Sequence, residues 1–327
     1  MHAFDYIRAE RVDDVLAALA DPNTKCLAGG TNLLDLMKAY VEQPARLVDI
    51  THLPLREIQA SPEGGMRIGA LVPNSDLAND ATVRARYPLL AQALVAGASP
   101  QLRNMATVGG NLLQRTRCHY FTDIGFSACN KRDPGSGCAA REGSNRIHAI
   151  LGASDQCIAT HPSDMCVALA ALDAVVEARS ASGVRQIPMD GFHRLPGTTP
   201  QRDTELRHDE LITAVLLPAS PFAERSRYLK VRDRASYEFA LVSVAAGLDM
   251  QGDTVRDARI VLGGVAHRPW RAKAAERALV GRVLDDTALA AAATAATEGA
   301  HPYRDNAFKV TLAQRAVARA LREASRA

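Results

Sequence analysis

Two glycine pairs constrain the fold of this chain more than any other feature of its sequence. The first pair, Gly29-Gly30, follows the strand-like segment Lys25–Ala28 and precedes Leu33–Lys38, which has the spacing of a helix. Glycine lets the main chain approach a ligand closely, and free N–H groups at a helix start bind anions. The segment therefore predicts a phosphate site, although the GxGxxG pattern is absent and glycine turns before helices are common.

The second pair lies in Thr107-Val108-Gly109-Gly110-Asn111, after the polar segment Ser99–Asn104. We interpret it as another turn that allows close approach of a ligand to the backbone. Two such turns in one chain could hold the two ends of a single dinucleotide.

Chain length and apolar patterning indicate two or three domains of mixed helix and strand. The 327 residues exceed one typical core. Arg46–Ile50 is a strand candidate that closes a small βαβ lobe, and a second lobe begins near Leu55. A hairpin is predicted over Val175–Ile187, and Leu211–Leu217 is a strand ended by Pro218. The remaining residues predict strands followed by two helices, so we expect α+β domains.

Four of the six cysteines lie in or beside one polar segment, residues 115–147, which lacks apolar periodicity and is interpreted as an insertion. They are separated by ten, eight and eighteen residues: Cys118, Cys129, Cys138 and Cys157. Four thiolates hold zinc or an iron–sulfur cluster, and the paired CxxC of a zinc ribbon is absent. From these residues alone, a cluster, zinc and unligated thiols all remain open. Cys26 and Cys166 are interpreted as core residues.

Composition argues against several classes of function. The net charge of +3 comes from residues scattered along the chain, so no nucleic-acid partner is expected. The longest apolar stretch, Phe239–Leu248, is about half the length of a bilayer span, so no membrane span is expected. The N-terminus has no secretory signal pattern. No nucleophile–base pair or metal–histidine constellation stands out, and Lys230 could be a ligand contact or an ordinary surface lysine.

Four motifs follow one another in an order typical of a known family. They are Cys26–Leu34, Thr107–Leu112, His161–Asp164 and Gly263–Ala266. Together they resemble the FAD-binding medium subunit of molybdenum hydroxylases, the xanthine dehydrogenase family, over essentially the whole chain. The resemblance implies an α+β fold, with a two-lobed FAD-binding domain of the PCMH/vanillyl-alcohol-oxidase type and a C-terminal α+β domain of the molybdenum-hydroxylase flavoprotein type. The implied bounds are residues 1–54 and 55–220 for the two FAD-binding subdomains and 224–327 for the C-terminal domain.

The cysteine-bearing segment narrows this resemblance. Gln114–Cys118, Cys129–Arg132, Pro134–Ala140 and Cys157–Asp164 are most similar to the flavin subunits of bacterial periplasmic aromatic aldehyde oxidoreductases. In that group, and in the related 4-hydroxybenzoyl-CoA reductase flavin subunits, the insertion carries a [4Fe–4S] cluster. The resemblance therefore implies such a cluster in an insertion at about residues 115–157, with four ligands: Cys118, Cys129, Cys138 and Cys157.

The resemblance also implies which residues hold FAD, and none of them is catalytic. The first glycine segment would bind the pyrophosphate through backbone N–H groups of Cys26, Leu27, Ala28, Gly29, Gly30, Thr31, Asn32, Leu33 and Leu34. A second backbone cradle would consist of Thr107, Gly109, Gly110 and Asn111. Asp164 would bind a cofactor hydroxyl, and Ile212 and Lys230 would lie near the isoalloxazine ring. Gly97-Ala98 stand where other members carry an aromatic side chain, so neither flavin stacking there nor an NAD site is implied.

The implied function is electron transfer within a three-subunit aldehyde oxidoreductase. A large subunit with a molybdenum cofactor would oxidise the aldehyde to the acid with water as oxygen donor. A small subunit with [2Fe–2S] clusters would pass the electrons to this chain, and an external acceptor would receive them. Periplasmic placement would require co-export with a partner that carries a twin-arginine signal; the alternative is cytoplasmic. The alternative functions are the flavin subunit of a xanthine dehydrogenase-like or 4-hydroxybenzoyl-CoA reductase-like enzyme, and a non-catalytic zinc-stapled binding module.

Overall fold

The computed structural model describes residues 1–327 without a gap, and three sheets follow one another along the chain. The sheets have three, five and four strands, and helices accompany each of them. Helix and sheet are therefore mixed throughout, which confirms the predicted α+β class. No helix combines the length and the apolar composition that a membrane span requires.

The first sheet is parallel and has the order β1-β3-β2. Its strands are β1 Asp5–Arg8, β2 Thr24–Leu27 and β3 Arg46–Asp49, and its helices are α1 Val12–Ala18 and α2 Leu33–Lys38. The predicted βαβ lobe is present as β2, α2 and β3. Strand β1 was not predicted, because all four of its residues are exposed and no apolar alternation marks it.

The second sheet is antiparallel and has the order β4-β5-β8-β6-β7. Its strands are β4 Ile58–Ala60, β5 Met66–Gly69, β6 Val175–Ser180, β7 Gly183–Pro188 and β8 Leu211–Leu217. The predicted hairpin is present as β6 and β7. Eight helices occur along this part of the chain: α3 Asn74–Asn79, α4 Ala81–Arg86, α5 Pro88–Ala96, α6 Pro100–Met105, α7 Val108–Leu112, α8 His119–Thr122, α9 Asp164–Ala171 and α10 Met189–Phe192.

The third sheet is antiparallel and lies between two layers of helices. Its strands have the order β12-β11-β10-β9, with β9 Ser226–Val231, β10 Val242–Gln251, β11 Thr254–Gly263 and β12 Trp270–Arg271. The helices that follow are α11 Lys273–Leu279, α12 Asp286–Ala296 and α13 Phe308–Ala324. One face of the sheet packs on α11 and α13, and the other packs on α5 and α9. Residues 242–248 of β10 are consequently all buried, since both faces of that strand are covered.

The segment around the second glycine pair is helical, so the predicted turn is wrong. Thr107 is the N-cap of α7, and its Oγ1 accepts a hydrogen bond from the Gly110 N–H at 3.2 Å. A threonine at this position satisfies a free donor of the first helical turn. The two glycines therefore lie inside a short helix, which tertiary contacts support in spite of their low helix propensity.

The cysteine-bearing segment contains one four-residue helix, α8, and otherwise consists of bends and turns. It has its own small apolar core, separate from the cores of the three sheets, made of Leu36, Cys118, Tyr120, Phe121, Cys129, Ala140, Cys157, Ile158 and Ala159. Three of the four cysteines thus belong to this core, and the fourth, Cys138, packs against it.

Candidate functional site

The loop between β2 and α2 presents a row of free backbone donors. The N–H groups of residues 29–33 donate to no acceptor in the protein, neither backbone nor side chain. Gly30 has φ of +70°, a conformation that glycine adopts without strain. Consecutive free N–H groups beside a glycine in this conformation form a concave anion site. The local geometry thus agrees with the phosphate site predicted from the sequence.

The two glycine segments meet because Gly29 has no side chain. A Cβ on Gly29 would lie 1.8 Å from the carbonyl oxygen of Met105, just before the second segment. No side chain is tolerated at that distance, so glycine is required for packing here. Close contact of the two segments forms the floor of a cleft between the first and second sheets.

The cleft is long and consists of two connected cavities. The smaller cavity, of about 160 Å³, lies over the first glycine loop and is also lined by Gly109 and Ile212. The larger cavity, of about 280 Å³, extends towards α5, α9 and the segment 234–239. Four residues line both cavities and join them: Thr31, Asn32, Ala106 and Gly110. A single elongated ligand would fill both.

Polar atoms along the cleft lack partners within the protein. The amide nitrogen of Asn32 is buried without a hydrogen bond, whereas its oxygen accepts from the Arg115 N–H at 2.9 Å. The side-chain oxygen of Asn74 and the Nε of Arg117 are also buried and unpaired, and both residues line the larger cavity. Buried polar atoms without partners are costly, so these positions fit a ligand that carries donors and acceptors. A dinucleotide is a ligand of this kind, because it has an anionic group and polar groups along its length.

The second glycine segment forms a wall of the cleft but offers few free donors. The Gly109 N–H donates to Ala70 O at 2.8 Å, and the Asn111 N–H donates to Thr107 O at 2.8 Å. Only the Gly110 N–H, bonded to the Thr107 hydroxyl, has a partner that can rotate away. The helical conformation of α7 uses the Gly109 and Asn111 donors, whereas the Thr107 N–H donates to no acceptor in the protein. The segment lines the cleft, and the first loop offers the longer row of free donors.

Asp164 and Lys230 form a buried pair at the inner wall of the larger cavity. The two carboxylate oxygens of Asp164 accept from the Tyr228 hydroxyl at 2.6 Å and from Lys230 Nζ at 2.8 Å. Lys230 also donates to Ala96 O at 3.1 Å. Asp164 lines the cavity, whereas Lys230 lies behind it and does not. Ile212 lines the smaller cavity, whereas Lys230 lines neither cavity.

Two aromatic residues of the C-terminal domain that were not predicted as site residues line the larger cavity. Tyr237 and Phe239 lie with Gly97 and Ala98 among the lining residues, where an aromatic contact was not expected. The Arg117 guanidinium stacks on the Phe239 ring with its carbon 4.9 Å from the ring centre. In the sequence, the feature that could have indicated them is the occurrence of two aromatic residues on either side of Glu238, in a loop between strands. Only tertiary structure brings them to the cleft.

The four predicted ligand cysteines come together at one end of α2, in the small core of the insertion. Cys129 and Cys138 face each other as a β-bridge, and the Cys157 Sγ accepts from the Ala159 N–H at 3.5 Å. The Cys118 Sγ lies 3.1 Å from His148 Nε2. No three of the four sulfur atoms lie within 4.8 Å of one another.

Burial makes thiolates at these positions unfavourable unless a cation is bound. It raises the pKa of Cys118 to about 12 and that of Cys157 to about 11. A bound metal displaces thiol protons and supplies the compensating charge. Sulfur atoms around a single zinc ion lie about 3.8 Å apart, given Zn–S bonds of about 2.3 Å. In any three of the four, at least one pair of sulfur atoms is more than 4.8 Å apart, so a single zinc ion would require the side chains to move inwards.

The cysteine core adjoins the cleft through α2 and the start of the insertion. Leu33 lines the smaller cavity, and Leu36, one helical turn later, belongs to the cysteine core. Arg115 bonds to Asn32 in the cleft and also forms ion pairs with Glu42 and Asp203, the latter at 2.8 Å. The cysteine core and the cleft wall are therefore connected through α2.

Comparison with known families covers nearly the whole chain. Residues 2–220 match the family described as the FAD binding domain in molybdopterin dehydrogenase. Residues 227–324 match the CO dehydrogenase flavoprotein C-terminal domain. The first match spans the first two sheets, and the second spans the third sheet with α11 to α13.

Similar proteins and a solved structure match nearly the whole length of this chain. The chain is 51% identical to the aldehyde oxidoreductase FAD-binding subunit PaoB of Escherichia coli, over 99% of both chains. It is 28% identical to the glyceraldehyde dehydrogenase medium chain of Sulfolobus acidocaldarius, over 93% of this chain and 90% of that one. A carbon monoxide dehydrogenase structure from Hydrogenophaga pseudoflava superposes with a TM-score of 0.78 at 30% identity, covering 99% of this chain and 98% of that one.

The cleft, its free donors and unpaired polar atoms, and both family matches agree on one cofactor and one kind of subunit. The fold is the FAD-binding domain followed by the CO dehydrogenase flavoprotein C-terminal domain, as expected from the motifs. The chain belongs to the family of FAD-binding medium subunits of molybdenum hydroxylases.

Proposed function

We propose that this chain is the FAD- and [4Fe–4S]-containing electron-transfer subunit of a heterotrimeric molybdenum aldehyde oxidoreductase that oxidises aromatic aldehydes to carboxylic acids. The assignment to aldehydes rests on the relative with 51% identity, an aldehyde oxidoreductase subunit. The assignment of a cluster rests on the four cysteines gathered beside the cleft, three of them in one buried core and Cys138 packed against it. That arrangement is the observation that carries the proposal.

The residues of the cleft would divide the binding of FAD among them. The N–H groups of residues 29–33 would bind the pyrophosphate, and Asn32 would add its free amide donor. Tyr237 and Phe239 would cover the larger cavity and exclude water from it. Asp164, paired with Lys230, would accept a hydrogen bond from a cofactor hydroxyl. Bound FAD supplies one- and two-electron transfer, and the protein positions it and tunes its potential.

Four cysteine thiolates are the common ligand set of a [4Fe–4S] cluster, and three of these residues are buried. The Ala159 N–H, which points at the Cys157 sulfur, would stabilise negative charge on the ligated cluster. Lys131, with a side chain 1% exposed, places a positive charge beside the core. Such charges and hydrogen bonds set the potential of a cluster.

In this proposal the aldehyde is oxidised on a large subunit that holds the molybdenum cofactor. This chain and a small [2Fe–2S] subunit carry electrons to an external acceptor. We also propose periplasmic placement by co-export with a partner that carries a twin-arginine signal. Fractionation of cells that express all three subunits tests this: disruption of the partner's twin-arginine pair should leave this chain in the cytoplasm. Unchanged periplasmic recovery would contradict it.

Iron and flavin content test the proposal directly. The purified chain should contain about four iron atoms and about four acid-labile sulfides, with flavin absorbance equivalent to one FAD. Cys129→Ser should lose most of the iron, whereas Cys166→Ser, which removes a buried thiol outside the core, should retain it. Zinc in place of iron would support the zinc-stapled alternative, and retention of iron in Cys129→Ser would remove that ligand from the set.

The substrate class is tested on the assembled three-subunit enzyme. An aromatic aldehyde such as benzaldehyde should be oxidised to the acid with transfer of electrons to an artificial acceptor. Oxidation of xanthine, or reduction of 4-hydroxybenzoyl-CoA, without aldehyde turnover would favour the corresponding alternative. Iron content and substrate choice are independent, so the two parts of the proposal can fail separately.

A further inference from the structure

We propose that His161, Cys166 and His193 form a second metal site, which binds a single closed-shell cation with affinity for nitrogen and sulfur ligands, Zn²⁺ or Cu⁺. A ring nitrogen of each histidine and the Cys166 sulfur lie within 4.8 Å of one another, and all three residues are buried. His161 precedes α9, Cys166 belongs to it, and His193 follows α10. None of the three is among the cysteines of the insertion or the donors of the cleft.

Both histidines have a ring nitrogen available for a metal. His161 Nε2 and His193 Nδ1 are buried and have no hydrogen-bond partner. His193 Nε2 lies 2.9 Å from Leu112 O, so this nitrogen carries the proton and Nδ1 keeps a free lone pair. An imidazole oriented by a backbone carbonyl through its other nitrogen is the usual arrangement in metal sites. The two rings are 4.1 Å apart between centres, close enough to share one ion.

Burial keeps these groups in a form that can bind a cation. It lowers the pKa of His193 to about 4 and that of His161 well below its usual value, so both imidazoles are neutral at pH 7. It raises the pKa of the Cys166 thiol to about 12, and a metal would displace that proton on binding. The resulting thiolate would offset one positive charge of the ion.

The ligand types select the class of metal. Two imidazoles and one thiolate favour zinc or copper(I), and the absence of carboxylate or carbonyl ligands from the set disfavours Mg²⁺ and Ca²⁺. Metal–nitrogen bonds of about 2.0 Å and metal–sulfur bonds of about 2.3 Å need ligand atoms about 3.5–4 Å apart. The side chains therefore move inwards by less than about 1 Å. Three-coordinate Cu⁺ needs no further ligand, and Zn²⁺ would add one water.

An access route exists on one side of the site. His161 lines a cavity of about 280 Å³ together with Thr160 and Pro162. Ser163, between His161 and Cys166, accepts a hydrogen bond from the Cys166 N–H at 3.0 Å and donates to Asn111 Oδ1 at 2.7 Å. A metal at this site would therefore fix the turn that leads to Asp164 and the second glycine segment. Its role would be to position the cleft wall.

Metal analysis of the purified full-length chain tests the site. The protein is dialysed against a chelator, divided, and loaded with Zn²⁺ or with Cu⁺ under anaerobic conditions. Elemental analysis should find about one zinc or copper ion per chain in at least one arm. Cys166→Ser and His193→Gln should each reduce that content at least about tenfold. X-ray absorption at the edge of the loaded metal should show two nitrogen neighbours and one sulfur neighbour.

His267→Gln is the matched control. His267 is also buried and has an unpaired Nε2, but it is outside the ligand set. This variant should keep the zinc or copper, and all variants should keep their iron and flavin, which separates the second site from the proposed cluster. The proposal is overturned if the wild-type chain binds no more Zn²⁺ or Cu⁺ than the Cys166→Ser variant does. This comparison uses variant protein whose circular dichroism and iron content match the wild type. Equal loss in His267→Gln would also overturn it.

Discussion

Asp49 joins the exposed first strand to the rest of the FAD-binding lobe. Its carboxylate accepts hydrogen bonds from the Thr51 N–H at 2.8 Å, from the Thr51 hydroxyl at 2.6 Å, and from the Tyr6 hydroxyl. Burial alone would raise the pKa of Asp49, but the hydrogen bonds from Thr51 and Tyr6 outweigh it and lower the pKa to about 2. The hydrogen bond from the Tyr6 side chain to Asp49 therefore helps to hold β1, which buries no residue of its own.

Replacement of Asp49 by asparagine should destabilise the first lobe in a pH-dependent way. The folded-state pKa lies below the ordinary value of 3.8, so the carboxylate stabilises the fold fully above about pH 4 and loses this effect as the pH falls through 2. We expect the variant's free energy of unfolding to be lower than that of the wild type by about 1.5–3 kcal/mol at pH 7, and this difference should shrink towards pH 2. Hydrogen exchange of residues 5–8 and 46–49 measures it. Asp5→Asn, at an exposed position, should change little, and a pH-independent deficit would contradict the assignment.

A bulky residue at Gly110 should block the cleft. A Cβ there meets only the Thr107 hydroxyl oxygen, at 3.1 Å, so the fold tolerates a side chain, which would extend into both cavities. Gly110→Val is expected to lower the ratio of flavin to protein several-fold without loss of secondary structure. Gly191→Val is the matched control, because a Cβ at Gly191 meets no atom within 4 Å. Full flavin occupancy in Gly110→Val would show that the ligand does not pass this position.

At the scale of elements, apolar patterning predicted strands that bury one or both of their faces. The β6–β7 hairpin and the strand β8 follow alternating or continuous apolar runs. Strand β1 has no buried face, and α7 contains two glycines, so neither had a local signal. In both cases tertiary contacts decide the structure. Strand β1 pairs in parallel with β3, and α7 is anchored by the hydrogen bond from the Val108 N–H to the Val72 carbonyl oxygen.

The same distinction explains which site residues the sequence could indicate. The first glycine loop is local, because one strand, one turn and one helix produce its free donors. His161 and His193 are separated by more than thirty residues and meet only after α9 and α10 have packed. Tyr237 comes from a different domain. Contacts of this kind have no signature in one sequence, so they appear only in the three-dimensional structure.

If the insertion holds the proposed cluster, removal of its iron should loosen the insertion while leaving the three sheets intact. The core of the insertion contains few buried residues, and three of them are cysteines, so little apolar packing remains without a ligated cluster. We expect faster hydrogen exchange over residues 118–157 in protein depleted of iron by a chelator under oxidising conditions. Exchange in α13 should not change, since that helix packs on the third sheet. Unaltered exchange in the insertion would mean that apolar packing alone holds it.

At the scale of the whole molecule, the third sheet couples the C-terminal domain to the FAD-binding domain. Val244 and Ala246 of β10 belong to the core shared with α11 to α13, whereas Ala245 belongs to the core shared with α5 and α9. The Lys230–Asp164 pair crosses the same interface with side chains that are 4% and 7% exposed. Apolar packing and one buried ion pair therefore fix the position of the segment 234–239 over the cleft.

Replacing one partner of this ion pair should lower the free energy of unfolding more than replacing both partners. Lys230→Met leaves the Asp164 charge buried, and we expect destabilisation of about 3–5 kcal/mol, measured by denaturant unfolding. The double variant Lys230→Met/Asp164→Asn removes the stranded charge and should recover a large part of that loss. Lys273→Met breaks an exposed pair with Asp190 and should cost about 0–1 kcal/mol. Additive effects of the two buried substitutions would contradict direct coupling.

The position of Tyr237 and Phe239 on the cleft implies an order of events during protein synthesis. Both glycine segments leave the ribosome well before residues 234–239, which complete the larger cavity. Until then the cleft is open on one side, and the faces of α5 and α9 that later meet the third sheet are exposed. The last domain is therefore needed to complete the cofactor cleft, and a chain that ended before residue 234 would present that cleft without its aromatic wall.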